Sequence, residues 1–304
     1  MPALATLVAA LAAFGVVAAG CGGAAEEPAP ASDPLPADAP PVQPEDAAPG
    51  SEEAVPRSGA RKKRAKAPAD GSGLPTQAEQ TAAIGRLVRL GFPVYCGGGK
   101  GNYVALTFDD GPGELTPKTL KILADNEVRA TFFVAGVRVA DNAQIVRREA
   151  AMGAVANHAW SHPDLTTLTA EEVRSQLTRT RRAIKEAQGQ RAVRLLRPPY
   201  GARNPVVDRE ADRLGMLQIL WSVDSADALG ADFAGIAANV KAGLKPGAII
   251  LLHENRGQTL RALKFHIIPA LQESGLTTVT VPELLALDPP SRRQLREGAQ
   301  GCHR

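Results

Sequence analysis

The chain has 304 residues, of which 22% are charged and only 4% aromatic, and its formal net charge is +3. So small a positive excess, with no concentrated basic face and few rings for bases to stack on, excludes a nucleic-acid partner. The aliphatic and aromatic residues that build a core fall mainly between Ile84 and Leu287, and a span of about 200 residues buries enough surface for one domain, here 77–290.

The chain opens with an apolar run over residues 4–19, short for a membrane-spanning helix but right for the hydrophobic part of an export signal. The run ends in Ala18, Ala19 and Gly20, immediately before Cys21. This pattern resembles a bacterial lipoprotein signal over 1–20. The resemblance implies that Cys21 carries lipid and that the rest of the chain sits in the cell envelope, outside the cytoplasm and tethered to a membrane. An uncleaved anchor or an ordinary secretory signal is the alternative, the latter giving a secreted protein. Residues 21–76 hold repeated proline and segregated charge, with eight acids and no base from 26 to 53 and six bases and no acid from 57 to 66. Ordering such a stretch buries too little apolar surface to offset its entropy, so it reads as a disordered linker. With Cys21 lipidated, Cys96 and Cys302 are left in an oxidising compartment. They flank the core-forming region, and a disulfide between them is expected to clip the tail, 291–304, to the start of the domain. Two unpaired thiols are the alternative.

Within the domain the hydrophobic period alternates between strand and helix. Residues 103–108 form a buried strand ending in two acids, and 117–126 suit a helix with Thr116 as its cap. A strand over 130–134, a helix over 142–152 and a short strand around Val155 follow. Thr169 opens a long helix to 188, with Glu172 completing a capping box. Further strands are expected at 192–196, 217–223, 248–252 and 277–281, and further helices at 206–214, 233–242 and 259–273. Short, continuously apolar strands separated by helices indicate a parallel sheet covered on its outer side. Seven such units favour a barrel of the α/β class over an open sheet. Polar residues just after several strands would then converge on one mouth.

Asp109 and Asp110 close the first strand, where two adjacent carboxylates need a cation nearby. His158 and His162 are four residues apart, a spacing that puts both imidazoles on one side of a helix or tight turn, within reach of one metal ion. No glutamate stands beside the first histidine as in a metalloprotease helix, so a base must come from elsewhere. With Asp110 as third ligand the set suits Zn2+, although Co2+, Ni2+ or Mn2+ also accept it. No Gly-x-Ser-x-Gly turn offers a serine nucleophile.

Four segments then appear in order: Thr107-Phe108-Asp109-Asp110-Gly111-Pro112, Asn157-His158-Ala159-Trp160-Ser161-His162-Pro163, Arg197-Pro198-Pro199-Tyr200-Gly201 and Leu251-Leu252-His253. Together they closely resemble the polysaccharide deacetylases of the NodB-homology type, carbohydrate esterase family 4, over about residues 104–285, and the resemblance implies that the α/β barrel is a distorted, incomplete (β/α)7 barrel. The resemblance implies that Asp109 is the general base, that Asp110, His158 and His162 hold the metal, and that the Tyr200 N–H, aimed by Pro198 and Pro199, meets the oxyanion. It implies that Arg197 holds the base, that His253 is the general acid, and that Asp227 supports His253, with Asp224 as a substitute. Where the family has an Asp-Trp pair this chain has Asp227-Ala228, so Trp221 is the candidate for the missing wall of the acetyl pocket. The lead-in to the histidines, Gly153-Ala154-Val155-Ala156-Asn157, also lacks the family's Gly-His-Glu. The implied activity is metal-dependent removal of acetyl groups from N-acetylated amino sugars, with peptidoglycan the expected glycan and a monomer the expected state. An O-acetyl esterase of the acetylxylan type and an inactive glycan-binding domain are the alternatives.

Overall fold

The computed structural model describes residues 73–189 and 192–302. The export segment 1–20, Cys21 and the linker as far as residue 72 lie outside the described residues. Strands β1 (Tyr103–Gly111), β2 (Ala130–Val134), β3 (Ala154–Asn157), β4 (Leu195–Leu196), β5 (Leu217–Gln218), β6 (Val223–Asp224), β7 (Ile249–His253) and β8 (Thr277–Thr278) make one sheet. Its order is β5-β4-β3-β2-β1-β7-β6, with β8 pairing the start of β1, and every described pairing between strands is parallel. The outermost strands, β5 and β6, are also consecutive in sequence, so the sheet curls into an incomplete barrel. Bridges from Val94 to Ile219 and from Cys96 to Ala248 lay the segment before β1 along the gap.

The alternation of β1 decides where its acids go, because successive side chains of a strand point to opposite faces. Val104, Leu106 and Phe108 pack outward, in one cluster with Leu120 and Leu123 of the helix Thr116–Asp125. Ala105 packs inward with Phe133, Ile219 and Ile249, and Asp109 falls on that same inner phase. Phe108 and Phe132 stack at 5.8 Å beneath the outer helices. Truncating either to Ala is expected to cost about 3–5 kcal/mol.

Most predicted helices are present within a residue or two: Ala143–Met152, Ala170–Gln188, Pro205–Arg213 and Phe233–Gly243. The expected 259–273 helix runs from Gly257 to Ser274 with a π-helical turn at Leu263–Ile267. Four expectations change. The single strand at 217–223 is two short strands on opposite edges of the sheet, which raises the strand count from seven to eight among the described residues. The strand at 192–196 narrows to its last two residues. Thr116 is not a cap but the first residue of its helix, because its hydroxyl is taken by the buried Glu254. The strand at 277–281 stops after two residues, since Thr280 and Glu283 form a capping box that starts the helix Val281–Leu287.

Two further helices, Gln77–Val88 and Arg292–Glu297, were not expected, yet each opens with its own capping box, Thr76/Glu79 and Ser291/Gln294. Cys96 and Cys302 are bonded, with Cα atoms 6.0 Å apart, across 206 residues of sequence. The disulfide ties the end of the described chain to the segment that lines the barrel gap.

Candidate metal centre and active site

The functional side chains all rise from the C-terminal ends of the parallel strands. β1 ends in Asp109 and Asp110, and Asp110 adopts φ 69°, so the strand turns there and separates the two carboxyls. Asp109 is buried; Asp110 is partly exposed. β3 ends at Asn157 and passes directly into His158, whose backbone N–H still bonds Val134 O at 3.0 Å. His158 and His162 do not lie on a helix. They flank an irregular loop in which Ala159 (φ 62°) and His162 (φ 60°) are left-handed, and this bends the second imidazole back over the first, with ring centroids 5.0 Å apart.

Asp110, His158 and His162 therefore meet, their ligand atoms all within 4.8 Å of one another. His158 Nε2 is 3.5 Å and His162 Nε2 3.3 Å from Asp110 Oδ1. His158 Nδ1 lies 2.7 Å from the Arg197 carbonyl oxygen, which as an acceptor places the proton on Nδ1 and leaves Nε2 free to ligate. Two imidazoles and one carboxylate with room left over are the donor set of an open divalent-ion site, so these residues fit such an ion. Burial alone would raise the Asp110 pKa, but the hydrogen bond and charge of His158, then His162 and His253, hold it well below the usual carboxylate range. Burial likewise opposes charge on His158, yet Asp109 and Asp110 outweigh it and its pKa rises; burial and the neighbouring His158 lower that of His162.

Asp109 is fixed by Arg197, which is wholly buried. Arg197 Nη1 donates to Asp109 Oδ1 at 2.7 Å and to Thr107 Oγ1 at 2.8 Å. Its Nε and Nη2 donate to the carbonyls of Ile219 and Leu220 at 3.1 and 3.2 Å, and its plane lies 4.2 Å from the centre of the Phe133 ring. Every edge of the guanidinium is thus used, as a buried cation requires. The other oxygen of Asp109, Oδ2, faces His158 Nε2 at 3.6 Å, which turns that carboxylate edge toward the ligand cluster.

On the opposite side, His253 ends β7. Its Nδ1 meets Asp227 Oδ1 at 2.7 Å, while Asp227 Oδ2 accepts from His253 N at 2.8 Å and from Thr259 Oγ1 at 2.6 Å. Burial lowers the His253 pKa, but the Asp227 hydrogen bond and the charges of Asp109, Asp227 and Asp110 reverse this and leave it above an ordinary imidazole. Asp224, the possible substitute, is instead exposed and accepts from Trp221 Nε1 at 3.1 Å and from Ala226 N at 2.8 Å.

The turn Pro199–Gly201 holds Tyr200 at φ 60° with its side chain 69% exposed. Gly201 N and Ala202 N close that turn on Pro198 O and Pro199 O, and the Tyr200 N–H takes no part in either bond. The Tyr200 ring stands edge-on to His162 at 4.7 Å. Trp221 packs beneath the turn, against Gly201, where any Cβ would come within 2.9 Å of the indole. Its ring also lies 5.6 Å from the Arg197 guanidinium. Ala228 and Leu229 are exposed, Leu229 at 83%.

Sequence reasoning missed several supporting residues. Asn157 is buried and bridges Ala159 N to the Leu177 carbonyl, Thr259 completes the shell of Asp227, and Gln176 holds the histidine loop. Asn157 stands in the histidine segment singled out above but was given no role there, and no capping or catalytic pattern marks Thr259 or Gln176. Missed too was a buried pair, Glu149 and Glu254. The two carboxyls hydrogen-bond each other, and among the described residues both oxygens of Glu149 and Oε1 of Glu254 meet no other donor. Burial pushes Glu254 up to about 8 against the Thr116 hydrogen bond, and it pushes Glu149 well above the usual carboxylate range.

Comparison with known proteins agrees with this geometry. Residues 97–219 match the family described as polysaccharide deacetylase. A chitooligosaccharide deacetylase of Bradyrhizobium sp. (strain ANU 289) is 39% identical over 197 residues, covering 60% of this chain and 90% of that protein. The peptidoglycan-N-acetylglucosamine deacetylase PgdA of Listeria monocytogenes serotype 1/2a (strain 10403S) is 38% identical over 183 residues, 60% of this chain and 38% of the relative. Among solved structures, BA3943 of Bacillus anthracis, a pseudoenzyme of carbohydrate esterase family 4, superposes with a TM-score of 0.59 at 32% identity, covering 66% of this chain and 70% of that one. This chain belongs to the polysaccharide deacetylase family.

Proposed function

We propose that the chain hydrolyses N-acetyl groups from amino sugars of a cell-envelope polysaccharide, with peptidoglycan as the glycan, using one divalent ion held by Asp110, His158 and His162. The observation that carries this reading is the meeting of those three side chains beside a buried Asp109 that Arg197 keeps in place. When bound, such an ion supplies Lewis-acid polarisation of the acyl carbonyl and offsets negative charge on its oxygen.

Asp109 takes a proton from the attacking water as the water oxygen bonds to the carbonyl carbon. The Tyr200 N–H, which closes neither bond of its turn, donates to the carbonyl oxygen as charge develops there. His253 carries a proton on Nε2, held cationic by Asp227 on Nδ1, and delivers it to the nitrogen as the C–N bond breaks. Acetic acid and a free amine leave, the acid ionises to acetate, and the Asp109 proton passes through solvent to return His253 to its protonated form. An amide has the poorer leaving group, so N-deacetylation depends more on His253 than ester cleavage does. Exposed Ala228 in place of a ring leaves the pocket wider on that side, and Trp221, underpinning the Tyr200 turn, acts as support for it.

In this reading 77–290 is the catalytic domain and 291–304 a tail clipped to it. The lipoprotein-like start, with lipid on Cys21, keeps the domain outside the cytoplasm and beside the wall. The similarity to a family pseudoenzyme sustains a second reading, an inactive wall-glycan binder. Acetate release from peptidoglycan, chitooligosaccharide and acetylxylan, before and after chelation and zinc reloading, decides among them. The expected result is chelator-sensitive release, greatest on peptidoglycan. Greatest release on acetylxylan would move the substrate to an ester, and glycan binding without release from the zinc-loaded protein would establish the inactive reading.

A further inference from the structure

The loop between the two histidines cannot hold its own shape. Two of its non-glycine residues, Ala159 and His162, occupy the left-handed region that side chains with a Cβ disfavour. Something outside the loop must supply what the backbone lacks, and the contacts name it. The Trp160 and Ser161 N–H groups both point at one atom, Gln176 Oε1, at 2.7 and 3.0 Å. Gln176 Nε2 donates in turn to Ser161 Oγ at 3.1 Å. Two backbone donors can be met only by the amide oxygen, which fixes which way the amide faces.

Two carbonyls of the segment are bound by a neighbouring helix. The Ala159 and Trp160 carbonyls accept from Gly136 N and Val137 N, each at 2.9 Å. The Trp160 ring is pinned by Arg179, 4.1 Å above it and one turn along the same helix as Gln176. The His162 ring meets Asp110 Oδ1 at 3.3 Å and packs against the rings of His158 and Tyr200.

We propose that Gln176 is the positioning residue of the metal site, fixing the 158–162 loop so that both histidines reach one ion before the ion arrives. It does not touch the ion or substrate; it acts through the backbone between two ligands. The inference rests on the metal-site reading above. Losing a partner that orients ligands typically weakens metal binding by about 10–100-fold. The conservative change is Gln176→Glu, which retains the acceptor for both N–H groups and can accept from the Ser161 hydroxyl. Gln176→Leu ends one atom short, fills much of the same space and removes the acceptor.

The experiment measures zinc affinity by competition with a chromophoric chelator, together with the visible spectrum of the Co2+-loaded protein and the Tm of the metal-free protein. Gln176→Leu is expected to raise the zinc Kd about 10–100-fold and to alter the Co2+ bands, with the metal-free Tm within about 2 °C of wild type. Gln176→Glu is expected to bind zinc as wild type does. Gln176→Asn, which withdraws the amide by one methylene, should fall between and decides the matter if the leucine variant does not fold. Wild-type zinc affinity and an unaltered Co2+ spectrum in the leucine or asparagine variant would overturn the proposal. So would a weakening matched by an equal loss of metal-free stability, which marks a merely structural role. A wild-type protein that binds no zinc would instead remove the metal-site reading itself.

Discussion

Two pairs of carboxyl groups lie close to the same strand ends and meet opposite fates. Asp109 and Asp110 are served by Arg197, His158 and His162, and the carboxyl of Asp110 stays below the ordinary range. Glu149 and Glu254 are more deeply buried than Asp110 and, among the described residues, form no ion pair with a cation; burial pushes both up, Glu254 to about 8. The fold therefore builds charge where compensation is supplied and a neutral acid pair where it is not. Glu254 directly follows His253, and its N–H bonds Asp109 O at 3.2 Å, so the neutral pair braces the charged one without adding a third anion to it.

Each pair can be perturbed on its own. The largest effect is expected for Asp109→Asn, which keeps shape and removes the base: kcat should fall by about 10²–10⁴-fold while zinc binding persists. Steady-state kinetics beside a zinc titration check this, and equal loss of both would move Asp109 into the ligand set. Next is Arg197→Met. It strands a buried carboxylate, and urea unfolding should show a loss of about 3–5 kcal/mol; an unchanged midpoint would mean that Asp109 needs no counter-charge.

Asp227→Asn acts more gently. Asp227 raises the His253 pKa, so the protonated acid, present below that pKa and lost as pH rises through it, should be lost earlier in the variant. The alkaline limb of the kcat/KM profile moves to lower pH, with about tenfold less activity on that limb for each unit of pKa lost. A superimposable limb would separate His253 from the proton transfer.

The smallest effect belongs to the neutral pair. In metal-free protein the folded Glu254 keeps its proton up to about 8, whereas an unfolded glutamate loses it near 4.5. Stability should therefore decline as pH rises through that window, by about 1.4 kcal/mol per unit of pKa difference. Glu254→Gln, which cannot ionise, should flatten the decline and raise Tm at the alkaline end. A slope identical to wild type would show that Glu254 is already ionised.

How much of this was legible before the structure depended on the range of the forces involved. The barrel and the convergence of Asp109, Asp110, His158, Arg197 and His253 follow from strand period and from polar residues at strand ends, both local in sequence. Asp227 as the partner of His253 needed the family resemblance, since Asp224 was equally near in sequence. The split of 217–223 was hidden because residues 219–221 are as apolar as a strand, and only tertiary closure sends the two halves to opposite edges. Thr116 looked like a cap, but the demand of Glu254 for a donor competed and won. Gln176 and Glu149 carry no pattern, because their partners lie 15 and 105 residues away.

The most direct test is zinc stoichiometry and affinity across the ligand set, measured on wild type, Asp110→Asn, His158→Ala and His162→Ala. One ion per chain in wild type is expected, with each substitution weakening binding sharply and abolishing acetate release together. Undiminished zinc binding in all three variants, or full turnover by protein stripped of metal, would contradict the convergence of three loops on a single cation.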